Sequence, residues 1–412
     1  MQTALPLGEG PAGKEWPATL DVGALADGGW RPAPFREFVL KVHSRCDLSC
    51  DYCYMYQTAD QSWRFQPKRM SPAVAGQVAA RVAEHARAHQ LDEVSVVLHG
   101  GEPLLAGPGL ISHVVTAVRG AAGPGTAVQA SVQTNGAGLD EEYLKLFGRL
   151  GVRVGVSLDG GQAAQDLHRR YASGRGSYTA VAAGLRLLAG ERFRHLFSGL
   201  LCVIDVENDP LDAYRGLLEF GPPRVDFLLP HGTWDSPPPR RGGGDAGTPY
   251  ADWLITIFDH WYDKPGTRVR LFDDIIRLLL GRPCRSESVG LAPAQFVVIE
   301  TDGAIEQVDS LKAAFQGAAG TGLNVAQHTF DAALRLPQVA AQQLGRDALC
   351  AKCRACPVWR VCGGGQYAHR HQAGTGFANP SVYCPDLLRL IGHVRDRVLA
   401  DITERREGRG GR

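Results

Sequence analysis

Six short apolar runs alternating with helical patterns limit what this chain of 412 residues can fold into. The runs are Phe38–His43, Val94–Leu98, Val128–Val132, Val152–Leu158, Leu196–Ile204 and Val225–Leu229. Between them stand the helical patterns Met70–His89, Leu110–Val118, Asp140–Leu150, Tyr178–Leu188 and Leu211–Phe220. Strands separated by segments of crossover length form a parallel α/β sheet with helices outside. Such folds bind ligands in the loops at the carboxyl ends of their strands. Six repeats fall short of a closed eightfold barrel, so an open or partial barrel is expected.

The loops after these strands carry the chemistry. Cys46-x3-Cys50-x2-Cys53 follows the first strand in LKVHSRCDLSCDYCYMY. Three thiols this close can wrap an iron-sulfur cubane from one short loop. A [4Fe-4S] cluster normally takes four thiolates, so three leave one iron open, and an open position separates catalytic from structural metal sites. Zinc with His43 as a fourth ligand, or buried free thiols, are the alternatives. The run His99-Gly100-Gly101-Glu102-Pro103 ends the second strand. Its glycines let the backbone approach a ligand, and Glu102 offers an acceptor suited to an ammonium group. Gln133-Thr134-Asn135-Gly136 ends the third strand and Ser157-Leu158-Asp159-Gly160 the fourth. Each alone is ordinary turn chemistry; repetition at successive strand ends points to a site.

Five of the ten cysteines lie beyond residue 349. Cys353-x2-Cys356-x5-Cys362, with Cys384 further on, supplies four thiolates, a complete shell for zinc or for a [4Fe-4S] cluster. Cys350 is a spare ligand beside a full shell. Cys202, in the apolar run GLLCVI, is a core residue, and Cys284 has no partner within reach by sequence. Clustered cysteines in a long chain favour metal over disulfides.

Lys plus Arg at 44 against Asp plus Glu at 43 leaves no basic surface implied for nucleic acid or anionic lipid. The absence of a transmembrane-length apolar run and of a signal pattern leads to the expectation of a cytoplasmic protein with no membrane partner. The expected domains are a lead-in at 1–33, a core at 34–233, a Pro/Gly linker or loop at 234–249 and a second domain at 250–412. That second domain opens with helical patterns at Tyr250–Tyr262 and Leu271–Leu280, then a hairpin of Phe296–Glu300 and Ala304–Val308.

The cysteine triad, with Tyr52 before its last member, resembles the signature of radical S-adenosylmethionine (SAM) enzymes. The resemblance implies a partial (β/α)6 radical SAM barrel whose [4Fe-4S] cluster binds SAM and cleaves it to a 5'-deoxyadenosyl radical. It places Gly100, Gly101 and Glu102 at the SAM methionine, Ser157 at the ribose and Arg169 at the carboxylate. Tyr52, Gln133 and Asn135 complete the implied cofactor contacts. The later cysteines resemble the SPASM extension of peptide-modifying members, which holds two auxiliary clusters. Here Val308 and Gln366 stand where two ligands of the first would be. The expectation is therefore a SPASM-like domain with one auxiliary [4Fe-4S] cluster on Cys353, Cys356, Cys362 and Cys384. Asp309 falls where related sulfatase-maturating enzymes place a base.

Through FREFVLKVHSRCDLSCDYCYMY, VVLHGGEPLLAG, VGVSLDG, LLPHG, ETDGAIEQVDSLK and CGGGQYAHR the chain resembles the FxsB-type cyclophane-forming radical SAM/SPASM peptide maturases. The implied substrate is a ribosomal precursor peptide, crosslinked from an aromatic ring to the β-carbon of a residue two positions on. A flavodoxin- or ferredoxin-type protein would donate electrons. Two other readings remain: side-chain oxidation without a crosslink, as in formylglycine formation, and a non-catalytic iron-sulfur peptide-binding protein.

Overall fold

A computed structural model describes residues 15–241 and 247–410. Residues 1–14 of the expected lead-in and 242–246 of the expected linker lie outside the described residues. The six runs form strands β1 (Glu37–His43), β2 (Glu93–Gly100), β3 (Ala127–Thr134), β4 (Val152–Ser157), β5 (Phe197–Val203) and β6 (Arg224–Leu228). Each pairs in parallel with the next, in chain order. Alternation is weak in β1 and β4, whose residues are mostly buried, because helices cover one face while the other faces inward.

The helices start and stop where local chemistry dictates. Ser71 caps helix Pro72–Ala88 by accepting from Val74 N, with proline in the first turn. Asp140 caps Glu141–Leu150 in the same way, and Gly151 ends it in the left-handed region. The C-terminal helix Cys384–Gly410 buries Leu387, Leu390, Ile391 and Val394 and packs against helix Pro249–Asp263. Among the described residues no helix is long and apolar enough to cross a membrane.

The sheet does not stop at the compositional boundary near residue 240. Strand β7 (Arg268–Val269) pairs with β6, and β8 (Phe296–Ile299) pairs in parallel with β1. Strands β9 (Ala304–Glu306) and β10 (Gly320–Asn324) then add antiparallel, giving ten strands in the order β10-β9-β8-β1-β2-β3-β4-β5-β6-β7. The C-terminal region thus supplies both edges of the barrel sheet. The described part of the 234–249 segment lies against it, with Trp234 Nε1 donating to Pro380 O at 2.8 Å.

Candidate active site

The cysteine loop leaves the carboxyl end of β1 and is clasped by the end of β2. Gly101 N donates to His43 O (2.8 Å) and Glu102 N to Arg45 O (2.9 Å). Gly100 has φ 157°, and a Cβ there would stand 2.1 Å from His43 O. A Cβ on Gly101 would stand 1.9 Å from the Tyr56 hydroxyl. Both glycines are therefore required by close approach to the cysteine loop, where the sequence pointed to approach to a ligand. His43 is occupied in the same turn, its Nδ1 accepting from Arg45 N at 3.2 Å.

Glu102 is 1% exposed. Its Oε1 accepts from Leu104 N (2.9 Å) and Thr134 Oγ1 (2.7 Å), and its Oε2 from Asn135 N (2.8 Å). Burial pushes its carboxyl up to about 7 despite these donors. The Asn135 side chain donates to Asp47 Oδ1 (2.8 Å) and to Cys46 Sγ (3.6 Å), tying Glu102 to the triad. At the next pair of strand ends Gln133 Nε2 donates to Ser157 Oγ (3.1 Å).

Tyr52 and Arg169 also meet. Arg169 Nη1 donates to the Tyr52 hydroxyl (2.8 Å), which donates to Asp159; Asp159 Oδ1 accepts from Val203 N (3.1 Å). Asp159 belongs to this constellation although its SLDG context reads as a turn. The Tyr52 hydroxyl is engaged within the chain, whereas Arg169 Nε is buried without a partner. An orphaned cationic donor and the buried acceptor Glu102 are the two recognition groups an amino acid's carboxylate and ammonium need, so the residues fit SAM.

The triad fits a metal cluster by its donor chemistry. Burial raises the thiols of Cys46, Cys50 and Cys53, Cys50 to about 11. Arg169 opposes this at Cys50 and Cys53, and Lys41 opposes it at Cys53. Such thiols stay protonated at neutral pH unless a metal displaces the proton. Leu48 N (3.4 Å) and Asn135 Nδ2 (3.6 Å) already aim at Cys46 Sγ.

Beside the triad lies a layer of buried charge that the motifs did not reveal. Lys41, 1% exposed within β1, pairs with Asp309 and lies 3.3 Å from His99 Nδ1. Burial alone would raise the Asp309 carboxyl, but Lys41 and Lys312 together hold it below the usual range. Its Oδ1 is buried without a partner. Lys312 is anchored in turn by Glu300 (3.0 Å) and Glu306 (2.7 Å). His231 Nδ1 meets His369 Nε2 at 3.2 Å, and the Tyr54 ring stands edge-on to His231 at 4.7 Å. Burial lowers His231 to about 4 and also holds His369 well below its usual value, so both rings are neutral. A lysine inside an apolar strand, FVLKVH, was the one available signal, since buried lysines require a partner.

The C-terminal thiols gather as five. Cys353, Cys356, Cys362 and Cys384 act on one another electrostatically, and Cys350 hydrogen-bonds Cys353 and acts on Cys384. Cys350, set aside from sequence as a spare, is thus within the group. Burial pushes Cys353 up to about 12 and Cys362 to about 11. Buried Arg370 adjoins both, fixed by the carbonyls of Gly363 and Gly365 at 2.7 Å each. Nearby, Val308 and Gln366 line a cavity of about 260 Å³ together with Arg270, Arg285 and Glu287. Cys202 is 1% exposed in the core.

Residues 40–215 match the radical SAM superfamily. The serine-type anaerobic sulfatase-maturating enzyme of Klebsiella aerogenes is 27% identical over 351 residues, 83% of this chain and 82% of that protein. The cysteine-type enzyme of Clostridium perfringens is 26% identical over 67% of this chain and 74% of its own. Among solved structures, native anSMEcpe with bound AdoMet superposes with a TM-score of 0.73 at 22% identity, covering 88% of this chain and 98% of that one. Streptococcus suis SuiB bound to precursor peptide SuiA gives 0.56 at 14% identity, covering 88% and 78%. With the sequential parallel sheet, the cysteine loop and the clustered strand ends, the part of the chain that carries the triad is similar to the radical SAM superfamily, and most of its length is similar to the anaerobic sulfatase-maturating enzymes.

Proposed function

We propose that this enzyme oxidises a side chain of a peptide or protein substrate at its β-carbon, with Asp309 receiving the proton. The single observation that carries this is the Asp309 carboxylate, held ionised by Lys41 while its Oδ1 stays buried and unpaired beside the triad. Cys46, Cys50 and Cys53 would hold a [4Fe-4S] cluster that, with SAM, would supply the 5'-deoxyadenosyl radical, and Cys353, Cys356, Cys362 and Cys384 would hold one auxiliary cluster that would supply an electron acceptor.

The chain's own residues do the rest. Glu102 takes the SAM ammonium and Arg169 its carboxylate, with Gln133, Asn135 and Ser157 at the flanking strand ends. Tyr54, His231 and His369 present a neutral aromatic wall to the substrate. Removal of a β-hydrogen atom, then of one electron and one proton, is a net two-electron oxidation.

Two endings share this beginning. The sequence resemblance implies that the carbon radical adds to an aromatic ring, which then loses its proton to Asp309 as the crosslink forms. The curated relatives support the other, in which the radical carbon bears a heteroatom, gives up the heteroatom's proton and becomes an aldehyde precursor. The departures at Val308 and Gln366, which border an open cavity, set this chain apart from the two-cluster pattern of the extension that it resembles.

The anaerobically reconstituted enzyme, given SAM, a reductant and either a precursor peptide rich in aromatic residues or a sulfatase-type peptide, should form 5'-deoxyadenosine. A crosslink appears as a loss of two hydrogens with an interval that resists fragmentation and no reaction with hydrazines. An aldehyde reacts with hydrazines and fragments normally. No 5'-deoxyadenosine with either peptide would overturn the catalytic reading.

A further inference from the structure

On the outside of the barrel, away from the strand-end loops, three metal-ligand side chains from distant parts of the chain converge. His85 lies in helix Pro72–Ala88 and His89 is its C-cap, four residues on and hence on the same face. Asp331 belongs to the short helix Phe330–Leu334 of the C-terminal region. Its Oδ1 lies 2.7 Å from His85 Nδ1 and 2.9 Å from His89 Nε2. The three ligand atoms all fall within 4.8 Å of one another.

We propose that His85 Nδ1, His89 Nε2 and the Asp331 carboxylate bind a divalent ion of the zinc class, which pins the outer barrel helix to the C-terminal region. Zinc sits about 2.0–2.2 Å from imidazole nitrogen and carboxylate oxygen. An ion between these three atoms reaches all of them after sub-ångström shifts. His85 is 2% exposed, and its ring is fixed among Phe35, Phe38 and Phe330 at centroid distances of 5.9, 6.0 and 6.0 Å. Its other nitrogen, Nε2, is buried without a hydrogen-bond partner. Nδ1 is thus the nitrogen turned to the site, and the packing of the three phenylalanine rings steadies it there.

The His89 and Asp331 side chains are 27% and 38% exposed, so one side of the site opens to solvent. A water there completes a tetrahedral shell of three protein ligands.

The cysteines compete for the same metals, so the test uses enzyme with its clusters already assembled. Zinc titration should show an equimolar site in the wild type and raise the melting temperature. In His89→Gln, which can still hydrogen-bond Asp331, zinc affinity should fall at least about tenfold and the melting shift should vanish. Asp331→Ala should behave likewise. Cobalt in the wild type should give ligand-field bands of a nitrogen and oxygen shell without thiolate charge-transfer absorption. Equal zinc binding in wild type and both variants, or a thiolate-type cobalt spectrum, would overturn the site and leave a His-Asp-His hydrogen-bond cluster.

Discussion

Glu102 is a carboxylate kept where its charge is unfavourable. Burial places its titration near 7, above which the carboxylate forms and below which the proton stays. An ammonium ligand needs the ionised form. SAM affinity should therefore rise as pH goes from about 6 to about 8 and then level off, and Glu102→Gln should weaken binding without that pH dependence. Equilibrium dialysis checks both; a flat wild-type profile would sink the assignment. Asp309 and Lys41 form a second test at this scale. Asp309→Asn should slow product formation by roughly 10²–10⁴-fold while 5'-deoxyadenosine still forms. Lys41→Met should give the same uncoupling and lower stability by about 3–5 kcal/mol, because a buried carboxylate loses its directly paired cation. Variants in which cleavage and product fall together would contradict a role after hydrogen abstraction. The motif residues Cys46, Glu102 and Asn135 were legible because they follow successive strands, whereas Arg169, which caps the helix Gln162–His168, came only from the family resemblance. Lys41, Asp159 and His231 were not, because each takes its meaning from a partner about a hundred residues or more away in sequence, Asp309, Tyr52 and His369 respectively.

At the scale of elements, the six strands and most helices were legible to within a few residues, since buried parallel strands are short apolar runs and the helices carry Ser, Asp and Pro at their starts. The edges were not. Strand β7 has two residues, and nothing local tells Phe296–Ile299 that its neighbour is β1. The clasp between the end of β2 and the cysteine loop was also read differently from what it is. Gly101→Ala places a Cβ against Tyr56 and the Arg45 backbone. We expect a loss of about 1–3 kcal/mol from overpacking and a lower iron content after reconstitution, whereas Gly109→Ala, with open space around it, should change neither. Melting curves and iron assays decide, and a Gly101→Ala protein with wild-type iron would show that the clasp tolerates separation.

Over the whole molecule, a run rich in proline and glycine looked like a seam between two domains, yet hydrogen-bond ladders cross that seam on both sides. Composition reports where a chain is locally irregular. It is silent about which distant strands will meet. The pairing of Leu40 with Ile299 has a consequence for how the chain can be divided. Lys41 follows Leu40, and Asp309 follows the β8–β9 hairpin, so the proposed proton acceptor is aligned to the cysteine loop by strand register and needs no hinge to find it. A chain ended at residue 233 would keep every cysteine of the triad but present β1 as a naked, apolar rim, ready to stack on another copy. We expect such a fragment to aggregate, and light scattering would show it. The barrel is in that sense unfinished until its last third is made, so a ribosome completes this catalyst from the far end back to its first strand.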